Sequence, residues 1–184
     1  EEVARLVGYS HIPATLPVPP PGRGLTKSQR LRRQIADALA GAGLIETLSY
    51  PFVTQEQNAT FGVADEAGTQ TQRTVKLANP ISAEYGWLRT SVLPGLLETV
   101  RRNVSRGFRD IAVYESGKVF LPAAMVGSKV IPPLGVRPDD QILDDIEAGI
   151  PAQPHRVAAV FTGHDSAPGP GHTPRAYDWQ DPIG

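Results

Sequence analysis

The sequence predicts an α+β fold in which a mostly antiparallel sheet is flanked by helices. Apolar residues recur at helical spacing in two long segments, and they alternate or run continuously in several shorter segments typical of strands. The order of these segments is helix, strand, strand, helix, strand, insertion, strand, which indicates the α+β class. The 18 glycines and 18 prolines, about a fifth of the 184 residues, predict long loops between the elements.

The first part of the chain predicts the end of one domain followed by a linker. Apolar residues within 1–9 have the spacing of a helix face, so we interpret this stretch as the last turns of an upstream helical domain. Five prolines between residues 10 and 24 hold φ fixed and remove backbone donors, which predicts an extended connector. Residues 25–184 are expected to form the main domain.

A long helix is predicted over 26–42. Thr26 and Gln29 have the spacing of a capping box, and glycines near the end supply a stop. Lys27-Ser28 also resembles the end of a phosphate-binding loop, but such a loop needs glycine before the lysine and a strand ahead of it. Here Thr26 precedes the lysine and a proline run precedes Thr26, which favours a helix cap. The apolar stripe of the helix consists of Leu31, Ile35, Ala38, Leu39 and Ala42.

The segment after this helix predicts a half-buried strand. Leu48, Tyr50 and Phe52 are apolar at every second position, which is the period of a strand with one face in the core. Pro51 cannot donate a hydrogen bond to a neighbouring strand, so an edge position or a bulge is expected there.

The middle of the chain predicts a second long helix. A polar loop with a short helix is expected over 54–73, followed by a short strand over 74–78. The helix itself is predicted over 91–105, where Pro94 falls in the first turn and its missing N–H is harmless. Its apolar side consists of Leu93, Leu96, Leu97, Val100 and Val104.

Two strands separated by an insertion complete the prediction. One strand is expected over 111–120, with a turn or bulge at Ser116-Gly117. The nearly continuous apolar run over 156–162 is typical of a central strand. Residues 121–154 are interpreted as a Pro-rich insertion whose acidic patch is a solvated loop, with a divalent-cation site as the alternative. The patch consists of Asp139, Asp140, Asp144, Asp145 and Glu147.

Composition excludes several classes of function. With a formal net charge of −1, the chain as a whole is not a polycation that would bind nucleic acid. The absence of cysteine excludes disulfides, thiolate zinc sites and cysteine nucleophiles, and it suits a reducing compartment. The four histidines form no i, i+4 pair, and no Gly-x-Ser-x-Gly motif occurs. No apolar stretch is long enough to span a bilayer, so no membrane partner is expected.

Two basic clusters leave a local contact with nucleic acid open. Arginine near a helix C-terminus is favoured by the helix dipole, so an ordinary solvated surface is one interpretation and a phosphate-contacting face is the other. A free-standing nucleic-acid-binding module is therefore an alternative function. The first cluster is Arg23, Lys27, Arg30, Arg32 and Arg33, and the second is Arg101, Arg102, Arg106 and Arg109.

Four runs of residues carry a resemblance to a known family. They are EEVARLVGY, GRGLTKSQRLRRQIADALAGAGLIETLSYPFV, LANPISAEYGWLRTSVLPGLLETVRRNVSRG and DIAVYESGKVF. In these runs the sequence resembles the β subunit of bacterial phenylalanyl-tRNA synthetases, most specifically over 79–82 and 88–97 and least over 121–154. The resemblance implies the end of a small helical domain joined to a catalytic-like domain of the class II aminoacyl-tRNA synthetase fold, incomplete in this fragment.

The resemblance also implies partners and a division of labour. It implies a cytoplasmic heterotetramer of two α and two β subunits that attaches phenylalanine to its tRNA with ATP and Mg²⁺. Because adenylation in the family takes place in the α subunit, this segment is expected to be a structural and assembly module without catalytic or cofactor-binding residues. The helix over 26–42 and the strand after it are expected to pack against partner subunits.

One position separates this interpretation from an active class II ligase-like enzyme, the other alternative function. The family pattern of an active site places an arginine two residues before a glutamate on a strand, where it holds the ATP α-phosphate. Here the matching strand reads Val113-Tyr114-Glu115, without arginine. An apolar side chain cannot replace a guanidinium on a phosphate, so this segment is not expected to make the adenylate.

Glu1 and Glu2 are the candidate metal ligands that the resemblance supplies. They match paired glutamates that follow two aspartates in the magnesium pattern of the family, and those aspartates would lie upstream of Glu1. Adjacent carboxylates offer the hard oxygen ligands that Mg²⁺ prefers, although an arginine or lysine can compete for them. Because the chain starts at Glu1 and its only methionine is Met125, we interpret it as an excised piece of a larger protein.

Overall fold

A computed structural model gives the structure of this chain, and it describes residues 1–18, 20–22, 24–62, 74–121, 127, 130–167, 169–178 and 180–181. The chain divides into two compact units, Glu1–Arg33 and Gln34–Gly184. The helices are α1 (Glu2–Val7), α2 (Lys27–Gly41), α3 (Gln55–Phe61), α4 (Leu93–Ser105) and α5 (Asp140–Ala148). The strands are β1 (Ile45–Glu46), β2 (Phe52–Val53), β3 (Trp87–Leu88), β4 (Ile111–Lys118) and β5 (His155–Thr162). This mixture confirms the α+β class.

The larger sheet has the strand order β1-β4-β5. β4 and β5 are antiparallel over eight residue pairs, from Ile111 opposite Thr162 to Lys118 opposite His155, whereas β1 joins β4 in parallel. The predicted central position of the run over 156–162 is wrong in the described residues, since β4 lies in the middle and β5 at an edge. Small alanines make this run continuously apolar without requiring that both faces be covered.

The predicted turn or bulge at Ser116-Gly117 is wrong as well. Ser116 lies opposite Val157 and Gly117 opposite Arg156, so the register continues through both residues without an extra one. Gly117 is needed for a different reason, which is the space that a neighbouring guanidinium occupies beside it.

The smaller sheet pairs β2 with β3, Phe52 lying opposite Leu88. The strand predicted over 74–78 is reduced to a single bridge between Lys76 and Trp87. Between β1 and β2 the chain crosses from one sheet to the other. The Thr47 N–H donates to the Tyr114 carbonyl in the larger sheet at 2.8 Å, and the Pro51 carbonyl accepts from the Arg89 N–H beside β3 at 2.9 Å.

This crossing segment turns its side chains the opposite way from the prediction. Leu48 is 87% exposed and Tyr50 is 83% exposed, whereas Thr47 and Ser49 are partly buried. Alternation predicts which residues share a face but not which face is covered. Here the polar side chains point inward, because Ser49 forms hydrogen bonds inside the domain.

Helix α2 begins with the predicted capping box. The Thr26 N–H donates to the Gln29 side chain at 2.8 Å, and the Gln29 N–H donates to the Thr26 hydroxyl at 3.2 Å. No residue of α2 is buried, although Ile35 and Leu39 of its apolar stripe are partly covered. The helix is attached to β4 where the Tyr114 hydroxyl donates to the Ala36 carbonyl at 3.2 Å.

The hydrophobic core lies between α4 and the larger sheet. Leu96 of α4 is fully buried and packs in one cluster with Ile111 and Val113 of β4. Val100 and Val160 close this cluster. The apolar spacing along α4 and β4 therefore predicted the core correctly.

The two shorter helices α3 and α5 each begin after a capping residue. Thr54 caps α3 in a second capping box, which gives the short helix predicted within 54–73. The acidic patch was predicted as a solvated loop, but it belongs to α5, where the Ile142 N–H donates to the Asp139 carboxylate at 2.9 Å. Aspartate at an N-cap and in a first turn stabilises a helix, so the acidic pattern was a helix signal.

In the part of the chain described, no helix combines the length and apolarity needed to cross a membrane.

Candidate functional site

A cleft of about 800 Å³ opens between the crossing segment, the loop before β3 and the first turns of α4. Its walls are largely apolar, and the Tyr50 and Phe52 rings stack nearly parallel, with 6.3 Å between their centroids and 11° between their planes. Ile81 lies fully exposed at the rim. The cleft is therefore an apolar recess that opens onto an apolar surface.

A buried ion pair lies beneath the cleft. Arg89 Nη1 is 2.5 Å from Glu115 Oε1, and the two side chains are only 5% and 2% exposed. The Ser49 hydroxyl donates to the other Glu115 oxygen at 2.5 Å and accepts from Arg89 Nη1 at 3.0 Å. Arg89 Nε donates to the Lys118 carbonyl at 3.0 Å. Each group thus has the hydrogen bonds that burial of a charge requires.

Two glycines allow this packing. A Cβ added at Gly117 would collide with Arg89 Nη2, and a Cβ added at Gly95 would collide with the Ser49 hydroxyl. Because neither position has room for even a methyl group, Arg89 can lie against β4 and Ser49 can lie against α4.

A second buried polar group continues this cluster. The Asn58 side chain donates to the Leu88 carbonyl at 3.0 Å, and its oxygen accepts from the Thr90 N–H at 3.0 Å and the Thr90 hydroxyl at 3.2 Å. Asn58 and Thr90 are both buried. They attach α3 to the backbone on either side of Arg89, which fixes the position of that residue.

The sequence prediction missed this cluster. It considered only an arginine on the same strand as Glu115, at position 113, where the chain has valine. The structure brings Arg89 to Glu115 from 26 residues away. The one signal was the specific resemblance over 88–97, which carried no information on what these residues contact.

Glu1 and Glu2 lie at the start of α1. Glu2 Oε2 is 2.7 Å from Arg5 Nη2 and 3.1 Å from Arg5 Nε, whereas Glu1 precedes the helix and its side chain makes no capping bond. Within the described residues, no group of three histidine or acidic side chains is placed to hold a metal ion. The structure therefore brings Glu2 to Arg5, the competing partner that the sequence allowed for.

The second basic cluster is partly neutralised. Arg101 and Arg102 lie 2.6 Å and 3.9 Å from Glu98, and the Arg101 hydrogen bond lowers the pKa of that carboxyl group. Arg106 and Arg109 make no ion pair with any part of the chain that the structure describes, and both are exposed. In the first cluster, Arg23 lies outside the described residues, and the other four members lie on α2.

The cleft and its buried pair occur in a sequence region that known proteins share. The family profile described as phenylalanyl tRNA synthetase beta chain CLM domain matches residues 12–184. The chain is 49% identical over 171 residues to the phenylalanine–tRNA ligase beta subunit of Leifsonia xyli subsp. xyli, covering 93% of this chain and 20% of that protein. It is 45% identical over 183 residues to the beta subunit of Streptomyces avermitilis, covering all of this chain and 22% of that protein. The chain spans about a fifth of the length of these curated relatives.

Among solved structures, a pyrrolysyl tRNA synthetase from Desulfitobacterium hafniense aligns with a TM-score of 0.38 and 17% sequence identity. The alignment covers 70% of this chain and 39% of that one.

Proposed function

Since the chain belongs to the family of phenylalanyl-tRNA synthetase beta-chain CLM domains, we propose that it is an assembly module in the β subunit of a cytoplasmic phenylalanine–tRNA ligase. In this proposal the partner is the α subunit, two of each subunit form a heterotetramer, and the whole enzyme attaches phenylalanine to its tRNA with ATP. The catalytic-like fold of class II synthetases is part of the same proposal, as are a helical-domain end over 1–9, a linker over 10–24 and the main domain over 25–184.

The state of Arg89 supports a non-catalytic role. An arginine that holds a phosphate must present its guanidinium to a ligand-accessible space. Arg89 is instead buried, and its donors already bond to Glu115, Ser49 and the Lys118 carbonyl. Arg89 is therefore not free to bind ATP, which argues against an independent class II ligase.

The exposed apolar surface around the cleft is the observation that carries the assembly role. Leu48 and Tyr50 point outward from the crossing segment, Ile81 lies at the cleft rim, and Ile45 is exposed on β1. Large apolar side chains are costly to leave in water, and surfaces that expose several of them are typical of surfaces that a partner covers. Such residues belong in the centre of a subunit interface.

The backbone at this surface also favours a partner. β1 is an edge strand of the described sheet, and the Thr47 N–H faces β4. Because successive residues of a strand direct their backbone groups to opposite sides, those of Glu46 and Leu48 face away from β4. A strand of the α subunit can extend the sheet there.

Co-purification of full-length β subunit with tagged α subunit tests the proposed assembly role. Leu48→Ser combined with Tyr50→Ser is expected to abolish co-purification, because it removes the centre of the apolar surface. Leu134→Ser is the matched control, since Leu134 is equally exposed but lies in the insertion. Wild-type recovery of the α subunit with the double variant would contradict the proposal.

A second test concerns chemistry. The isolated chain is expected to show no phenylalanine-dependent pyrophosphate exchange, whereas the αβ complex shows it. Exchange by the isolated chain at a rate comparable to that of the complex would replace the assembly role with an enzymatic one.

We also propose that Glu1 and Glu2 contribute carboxylate oxygens to a Mg²⁺ site. Their oxygens suit a hard cation, which takes one or two carboxylates and keeps several waters. Arg5 must leave Glu2 for this binding. In the full-length β subunit, Glu1→Gln with Glu2→Gln should therefore weaken Mg²⁺-dependent thermal stabilisation, and Arg5→Gln should strengthen it. Equal Mg²⁺ responses in all three proteins would refute the site.

A further inference from the structure

We propose that the turn between α4 and β4 binds an unpaired nucleotide of tRNA, with the base stacked on Phe108 and the adjacent phosphate held by Arg106 and Arg109. The choice of tRNA as the nucleic acid rests on the proposed function. The site itself rests on the geometry of the turn, on its charges and on the pocket beside it.

The turn holds an aromatic ring in solvent on a fixed backbone. Gly107 adopts φ 95°, which only glycine adopts readily, and its N–H donates to the Val104 carbonyl at 3.0 Å. The Phe108 N–H donates to the Asn103 carbonyl at 3.1 Å. The Phe108 side chain is nevertheless 61% exposed. An exposed ring on a hydrogen-bonded turn is a surface on which an unpaired base can stack.

Two uncommitted guanidinium groups flank this ring. Arg106 and Arg109 are exposed and form no ion pair with the described parts of the chain, unlike Arg101 and Arg102 of the same cluster. The nearest carboxylate in sequence, Asp110, is engaged by His164, whose Nδ1 lies 3.0 Å and whose backbone N lies 2.9 Å from Oδ1. The guanidinium groups are therefore available to phosphate oxygens.

A pocket of about 610 Å³ begins at Arg109 and continues past Asp110 to Thr162, His164 and Ser166. This volume lies in the range of sites that hold small ligands. Its lining includes the Thr162 hydroxyl, which can donate to or accept from the polar edge of a base or a ribose hydroxyl. An extended nucleotide can thus reach from the ring of Phe108 into the pocket.

The test measures affinity of the assembled αβ enzyme for phenylalanine tRNA transcript across a series of salt concentrations. Phe108→Ala is expected to weaken binding about tenfold by removing the stacking surface, and Phe108→Tyr to restore it. Arg106→Gln with Arg109→Gln is expected to weaken binding and to reduce the slope of log affinity against log salt by about 0.7, for the one phosphate that the two arginines hold. Arg137→Gln is the matched control, because Arg137 is also an exposed arginine without an ion pair in the described residues.

The outcomes separate this site from the assembly role. Co-purification with the α subunit and tRNA-independent pyrophosphate exchange should stay at wild-type levels in every one of these variants. Unchanged affinity of Phe108→Ala and of the arginine double variant would overturn the nucleotide site and leave the assembly role standing. Equal weakening by Arg137→Gln would overturn it too, because the effect would then be one of total charge.

Discussion

The floor of the cleft and the rim above it reverse the usual distribution of side chains. Beneath the cleft, Arg89 and Glu115 are charged and buried. At the rim, Tyr50 and Ile81 are apolar and exposed, as is Leu48 of the crossing segment. The buried groups have their hydrogen bonds within the chain, whereas the exposed groups lie largely in water. The contrast distinguishes residues that fix the structure of this domain from residues that join it to another protein.

The energetic roles of the two regions differ accordingly. A buried ion pair gives little net stability over an apolar pair, because desolvation offsets the attraction, but loss of one partner leaves a charge without compensation. The floor therefore fixes the geometry of α4, β4 and the backbone around Arg89. Burial of the rim releases hydrophobic free energy only when a partner arrives.

The largest effect is expected at Arg89. Arg89→Met leaves the Glu115 carboxylate buried and unpaired, which should lower the free energy of unfolding by about 3–5 kcal/mol. Urea denaturation of the chain measures it, with Arg137→Met as the exposed control. A loss below about 1 kcal/mol would mean that Glu115 finds solvent or another donor.

A somewhat smaller effect is expected at Asn58. Asn58→Ala removes the acceptor of the buried Thr90 N–H and the donor to the Leu88 carbonyl, which should cost about 1–3 kcal/mol. Asn79→Ala, at an exposed position of the cleft wall, is the control. Similar unfolding curves for the two variants would count against a structural role of the Asn58 cluster.

At Gly117 the expected cost comes from overpacking. Gly117→Ala places a methyl group where Arg89 lies and should cost about 1–3 kcal/mol as the guanidinium moves. Gly41→Ala serves as control, since a Cβ there meets open space at the end of α2. A Gly117→Ala variant as stable as wild type would show that the Arg89 guanidinium can move away without lowering the free energy of unfolding.

The rim should behave in the opposite way when the chain is alone. Leu48→Ser with Tyr50→Ser is expected to change the free energy of unfolding by no more than about 0.5 kcal/mol, because both side chains already lie in water. Thermal denaturation of the isolated chain checks this. A marked loss of stability would show that these residues belong to the fold itself and would remove the contrast with the floor.

The smallest effect concerns Asp110. The His164 side chain, and after it the His164 backbone N–H, lowers the pKa of the Asp110 carboxyl group. Because its folded pKa is below the unfolded value near 3.9, its contribution to stability is present above about pH 4 and is lost as the pH falls through the folded pKa. Asp110→Asn should therefore make stability fall less steeply in acid. Thermal melts at several pH values measure this, with Asp140→Asn as control, and an unchanged acid slope would exclude the pair as its source.

Sequence patterns predicted the elements better than the contacts. Helices α2 and α4, the capping box at Thr26 and the strand at Ile111–Lys118 all follow from local sequence patterns, and the structure confirms them. The direction of the face at Leu48 could not be predicted in this way, since alternation is the same whether the apolar side faces the core or a partner.

The candidate site was less predictable than the fold. The Arg89–Glu115 pair joins the residue after β3 to a residue of β4, and no local spacing shows such a contact. The sequence shows that position 113, on the same strand as Glu115, is apolar. It does not show that the guanidinium of Arg89 lies beside Glu115 instead. The sequence also could not show whether the Glu2 carboxylate binds Arg5 or a metal ion, because both compete for it.

The missing side chain at Gly117 has an evolutionary consequence. Arg89 occupies the space that any larger residue there would need, and Ser49 and Glu115 bind the same guanidinium. In divergent homologues these four positions should therefore vary as a set. A lineage that acquires alanine or a larger residue at 117 should also have replaced the arginine at 89. The serine at 49 and the glutamate at 115 would then no longer be constrained by that arginine.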